Sequence, residues 1–220
     1  MTKGGLSITF LLIGLVGGLV LVADLWVKNA PEPASAGGSP SESVPSSTSA
    51  GASSPPTLDG VIEKGEYAHA FHDQTTGMDL SWSIVGDKIY FGLHSPGQGW
   101  LAVGLAPDGP AMKGAEILMG YVQDGKASMQ DEFGDTSYSH KPDTEAGGTD
   151  DIIQFAGSED ANGTTLEFER PLNPGGTNQK AIVSGPMTVM FAYSSKDDWT
   201  SYHRHRNEAQ IDFFAPEGGG

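Results

Sequence analysis

Residues 78–95 read "MDLSWSIVGDKIYFGLHS". Met78, Leu80, Trp82 and Ile84 alternate with more polar neighbours. After the turn signal "VGDK", Ile89, Phe91 and Leu93 fall on one face, with Tyr90 and His94 on the other. A period of two marks a strand with one buried face, and two such runs around a glycine-bearing turn make a hairpin. The pattern returns in "GWLAVGLA" (Gly99–Ala106), where large Leu101, Val103 and Leu105 alternate with small Ala102 and Gly104.

Further strands are expected over Tyr67–Asp73, Ala115–Gln123, Ser128–Phe133, Asp151–Phe155, Thr164–Glu169, Thr188–Tyr193 and Ala209–Phe214. "SPGQG", "QDGK", "EDANG" and "NPGG" punctuate them as turns. No stretch beyond residue 28 carries a sustained apolar stripe of helical period. About ten short strands joined by turns predict an all-β fold, an antiparallel, immunoglobulin-like β-sandwich of about ten strands.

Upstream of the sandwich, the chain changes character twice. Leu6–Ala23 is an uncharged, mostly apolar run which as a helix would span ~27 Å, close to the hydrocarbon thickness of a bilayer. Trp26 and Lys28 stand where interface anchors belong. Residues 1–28 are therefore expected to be a transmembrane anchor or a signal peptide, with "LVA" (Leu21–Ala23) or "ASA" (Ala34–Ala36) as cleavage sites in the second case. Residues 29–56 are mostly Ser, Pro, Ala and Gly, a composition too poor in apolar surface to offset ordering, and read as a flexible linker. Residues 57–220 then form the folded domain. Either reading of the first segment puts this domain on the extracytoplasmic side, membrane-anchored or secreted.

Composition narrows the chemistry. The chain has no cysteine among its 220 residues, which excludes disulfides, thiolate zinc sites, iron–sulfur clusters and covalent c-type haem. Any cofactor must be held by His, Met, carboxylates or packing. The formal net charge of −16 argues against nucleic acid as a partner. No G-x-S-x-G, H-E-x-x-H or phosphate-cradling glycine loop is present, and nothing pairs a nucleophile with a base, so an enzyme is not expected. Glu167 and Glu169 flank Phe168 on a strand and read as a solvated face. His69, His72, His94 and His140 are scattered and read as surface groups.

Two places remain. Met112 lies in the loop "APDGPAMKG", where a long apolar side chain has no evident core to enter. It is either a plug over one end of the sandwich or a soft thioether ligand. In "TSYHRHRN" (Thr200–Asn207), an extended backbone would put His203 and His205 on one face and Arg204 and Arg206 on the other. The long polar loop Asp135–Thr149 is a third place to expect function.

"LDGVIEKGEY" (Leu58–Tyr67), "GWLAVGLAPDGPAMKGAEILMGYVQDGKASMQDEFG" (Gly99–Gly134), "HKPDTEAGGTDDI" (His140–Ile152), "LEFERPL" (Leu166–Leu172) and "AYSSKDDWTSYHRHR" (Ala192–Arg206) together resemble the DOMON domain. The resemblance covers nearly all of residues 57–220, and the family is similar in fold to the haem b cytochrome domain of cellobiose dehydrogenase. It implies one of two functions: a b-type cytochrome that carries electrons, or a module that binds carbohydrate or another small ligand. In haem-binding members the methionine position corresponds to Met112 and the histidine position to His203, with His205 as alternative. Here Arg204 and a second histidine follow where a small residue is usual. The resemblance thus implies one haem b per domain ligated by Met112 and His203, with Trp100 and Tyr202 as ring contacts and Arg204 or Arg206 as propionate partners. Electrons would pass to or from a membrane or extracytoplasmic redox partner. A copper site built from Met112, His203 and His205 is a third reading.

Overall fold

The computed structural model describes residues 54–216. The expected anchor of residues 1–28 and most of the expected linker lie outside them. Among the described residues, no helix is long and apolar enough to cross a membrane.

Among the described residues, eleven strands form two antiparallel sheets. The first strands are β1 (His69–Asp73), β2 (Met78–Val85), β3 (Lys88–Ser95) and β4 (Leu101–Leu105). β5 (Glu116–Gln123), β6 (Lys126–Phe133) and the two-residue β7 (Lys141–Pro142) follow, with a single helical turn, α1 (Asp143–Ala146). The remaining strands are β8 (Gln154–Asp160), β9 (Gly163–Pro171), β10 (Met187–Tyr193) and β11 (His205–Ile211). One sheet runs β1-β2-β3-β9-β8 and the other β11-β10-β4-β5-β6-β7.

The core lies between the sheets, as the period of two demands. Leu80, Phe91, Leu93, Leu166 and Phe168 from the first sheet meet Leu101, Val103, Leu105, Leu118, Val189 and Phe191 from the second, all fully buried. Each such side chain contributes roughly 1.5–3 kcal/mol by leaving water. The hairpin that opened the sequence reading is present in that register: Trp82 pairs with Phe91 and Leu80 with Leu93.

Several expected elements moved. The last strand begins and ends earlier than Ala209–Phe214, because Phe213 leaves the ladder and plugs the core. Phe213 packs edge-on against Trp82 and Phe91, and its carbonyl accepts the Trp82 Nε1–H at 3.0 Å. The eighth strand starts at Gln154 rather than Asp151, because residues 151–153 are held by other partners: Asp131 Oδ2 accepts the Asp151 N–H, and the Glu169 carbonyl accepts that of Ile153.

Glu167 and Glu169 are not a solvated face; both are buried. Residues 57–67 cross the outer side of the first sheet, and Glu167 fastens them there. Its carboxylate accepts the N–H groups of Asp59, Gly60 and Val61 and the Tyr67 hydroxyl, at 2.7–3.1 Å. Glu169 accepts from Lys88 Nζ and Gln154 Nε2. A buried carboxylate needs this many donors to offset lost hydration.

Candidate functional site

The second sheet carries a separate apolar cluster on its outer face: Trp100, Ala102, Ala115, Ile117 and Met119, with Met112, Tyr121, Met190, Ala192 and Trp199 packed against it. Strand alternation creates it. While Leu101, Val103 and Leu105 point into the sandwich, Ala102 and Gly104 face out, beside outward Ala192 and Met190 of β10 and Ile117 and Met119 of β5. Ala102 pairs directly with Ala192. These small residues make a shallow floor in place of a ridge. A Cβ on Gly104 would collide with Met190 Cε, so even one methyl group would disturb the floor.

Above that floor is a cavity of about 400 Å³, whose lining includes Trp100, Met112, His140, His203 and Arg206. That volume is in the range of small-molecule and cofactor sites. Met112 and His203, ninety-one positions apart in sequence, thus meet at one cavity.

Local structure fixes each of the two. Met112 sits in a tight loop in which the Lys113 carbonyl accepts the N–H groups of Asp108 and Gly109, and the Met112 carbonyl accepts that of Ala115. Gly134 lies so close to the Met112 carbonyl that no side chain could stand there, which pins the loop to the end of β6. On the other side, the residues around His203 are all tethered. Trp100 Nε1–H donates to the Ser201 carbonyl at 3.1 Å, the Ser194 hydroxyl to the Tyr202 carbonyl at 3.0 Å, and the Arg204 N–H to the Tyr193 carbonyl at 2.8 Å. Asp198 caps the preceding turn by accepting from Thr200 and Ser201.

His203 and His205 do not share a face. β11 begins at His205, so His203 precedes the strand and its alternation. His205 stacks on Tyr193 with ring centroids 4.7 Å apart, while Arg206 lines the cavity with His203. Tyr202, Arg204 and His205 are not among the lining residues, and Tyr202 is 81% exposed. The structure therefore gathers Trp100, Met112, His203 and Arg206 of the residues expected from sequence, and leaves the other three outside.

His140, read from sequence as a surface group, also lines the cavity. Its Nδ1 is bonded to Glu132, whose side chain is nearly buried. The signal available in the sequence was the long polar loop, which delivers His140 to this place. The two cavity histidines are electrostatically unlike. The bond to Glu132 pushes the His140 pKa up despite its burial. Burial, reinforced by the charges of Arg206 and His140, holds that of His203 below its ordinary value. Both effects favour the neutral imidazole at His203, the form that binds a metal.

Residues 74–194, over half of the chain, match the family model of the DOMON domain. The human DBH-like monooxygenase protein 1 is 32% identical over 118 residues, and its chicken counterpart is 30% identical over 132 residues. These matches cover 54% and 60% of this chain but only 18% and 21% of those proteins. The chain thus spans about a fifth of the length of these relatives. Among solved structures, the cytochrome b domain of pyranose dehydrogenase from Coprinopsis cinerea is similar, with a TM-score of 0.48 and 17% identity over 65% of this chain and 80% of that one. The cytochrome domain of Myriococcum thermophilum cellobiose dehydrogenase has a TM-score of 0.46 and 9% identity, covering 64% of this chain and 77% of that one. With its family model matched across the sandwich from β2 to the end of β10, this chain belongs to the DOMON domain family.

Proposed function

We propose that the domain is an electron-transfer module that holds one haem b non-covalently in the cavity, with Met112 and His203 as its two iron ligands. The observation that carries this reading is the convergence of a thioether and a neutral imidazole on one apolar cavity. The fit rests on the chain's own features: a soft sulfur donor, an imidazole nitrogen donor, a floor of Ala102, Gly104 and Ala192, and the Arg206 guanidinium in the lining. A haem held by Met112 and His203 would supply a one-electron iron couple.

The residues have separable tasks. Met112 and His203 bind. Trp100, 4% exposed, adds apolar surface to the lining. Arg206 offers a guanidinium to carboxylate groups such as propionates. His140, held by Glu132, adds a second imidazole to the lining. The sequence features beyond the described residues support an extracytoplasmic domain tethered near a membrane, and the net charge of −16 favours a redox partner with a basic face.

Absorption spectroscopy of the purified full chain, with and without added hemin, tests the assignment. A Soret band with sharp α and β bands on reduction is expected, and Met112→Ala and His203→Ala should each abolish the low-spin reduced spectrum. A protein that stays colourless in hemin would overturn the reading. Binding of an oligosaccharide or of copper by that colourless protein would put a carbohydrate module or a copper site in its place.

A further inference from the structure

One histidine of the cavity lining has a buried carboxylate behind it. Glu132 stands on β6 opposite Ile117, so strand register turns it to the outer, cavity-bearing face of the second sheet, where it is only 2% exposed. The chain then loops out and returns along β6, pairing Lys141 with Phe133 and Pro142 with Glu132, which brings His140 back to the end of that strand. Ser139 ties the loop in place by donating its hydroxyl to Asp135 at 2.6 Å. Among the described residues, His140 is the only group hydrogen-bonded to the Glu132 carboxylate.

An ionised carboxylate accepts and cannot donate, so the His140 nitrogen that meets it, Nδ1, carries a proton. The proton that can come and go is therefore the one on Nε2, in a side chain that lines the cavity. Buried charge without a counter-charge is costly, so each member of the pair favours the charged form of the other. The bond to Glu132 outweighs burial and raises the His140 pKa, and the charges of Glu132 and Asp135 add to it. The other titratable or charged groups in the lining are His203, Arg206 and Glu208; β4, β5, β10 and the Met112 loop contribute only uncharged side chains. Charge at His140 is felt across this cavity, where it helps to lower the His203 pKa.

We propose that the His140–Glu132 pair takes up a proton when an iron centre in the cavity takes up an electron. The inference rests on the haem reading of the cavity and adds a proton-binding site to it. An added electron lowers the positive charge facing His140, and an imidazolium then forms more easily. In the balanced step a redox partner supplies one electron and solvent one proton; ferric iron becomes ferrous and His140 Nε2 becomes N–H. The net charge within the cavity is unchanged. Such compensation matters in a largely apolar lining, where an uncompensated charge is costly. The linkage is reciprocal: a proton on His140 raises the electron affinity of the iron by the factor by which reduction raises the proton affinity of His140. Between the His140 pKa values of the oxidised and reduced states, the reduction potential therefore falls as pH rises, and outside that interval it is flat.

The test is a spectroelectrochemical titration of the hemin-loaded full chain from about pH 5 to about pH 9. At a fixed applied potential the ferrous-to-ferric ratio should fall as pH rises, by up to tenfold per pH unit, the equivalent of about 59 mV. Glu132→Gln, which keeps the shape and removes the charge, should move the pH-dependent interval to lower pH. His140→Gln should flatten it. In the hemin-free protein, an NMR titration of His140 should give a midpoint above the ordinary histidine value, and a lower one in Glu132→Gln. A flat potential in the parent protein, a slope that survives His140→Gln, or equal His140 midpoints with and without the Glu132 charge would overturn the proposal. Loss of the low-spin spectrum in His140→Gln would overturn it too, by making His140 an iron ligand. A chain that takes up no hemin fails the cavity reading itself, whereas one that binds hemin with a flat potential fails this inference alone.

Discussion

His205 stacks on Tyr193 with ring centroids 4.7 Å apart and 16° between planes, while His203, two residues earlier, lines the cavity on the outer face of the same sheet. The change of side between them comes from the start of β11: a strand imposes alternation only from its first paired residue, here His205 opposite Tyr193.

A pair of substitutions follows. His203→Ala should remove hemin-dependent absorbance at sub-micromolar protein. His205→Ala should keep the band positions of the reduced spectrum and lose only the stacking contact. Identical loss in both variants, with both folded by circular dichroism, would put the ligand assignment in error.

Gly104 gives a second prediction. In Gly104→Val the added side chain meets Met190 Cε, the mobile end of a flexible side chain, so the sandwich should still fold. The displaced methionine would fill the floor of the cavity. Hemin affinity should fall about tenfold or more, in line with overpacking costs of ~1–3 kcal/mol. A titration of equal affinity would show that the floor is not in contact with the ligand.

At one end of the core the buried Glu116 and Asp131 set a pH dependence. Burial pushes the pKa of Glu116 up to about 7, and that of Asp131 up to about 8. Both groups bind protons more tightly folded than unfolded between the ordinary carboxylate range and those values. Their contribution is therefore complete below about pH 4 and is lost as pH rises through 7 and 8. Tm should be higher at pH 5 than at pH 8.5, and Asp131→Asn should flatten that slope. A Tm that climbs over this interval would contradict the burial argument.

Phe168 tests the core. It is fully buried between Phe91, at 5.3 Å between ring centroids, and the second sheet. Phe168→Ala should cost about 3–5 kcal/mol in denaturant unfolding. A loss below about 1 kcal/mol would mean that the two sheets do not close on this ring.

Much of the sandwich was legible in the residues. The alternation in Met78–Ser95 gives both strands of the opening hairpin and their inward faces, and Ala102 and Gly104 already stand out as small outward residues on β4. Glu167 was misread because a period of two separates faces without saying what covers the outer one; residues 57–67 do so here. His140 was missed because a loop has no period, and nothing local connects it with Glu132.

Met112 and His203 were singled out as a pair only by resemblance to a family, but by itself the sequence determined the strands, their turns and the absence of any thiolate chemistry. Those properties depend on neighbours a few residues away or on composition. Tertiary structure alone decided that the two positions share one cavity and that His205 turns away from it. Each of those facts rests on contacts between distant strands, where register and sheet order, rather than spacing along the chain, set which side chains meet.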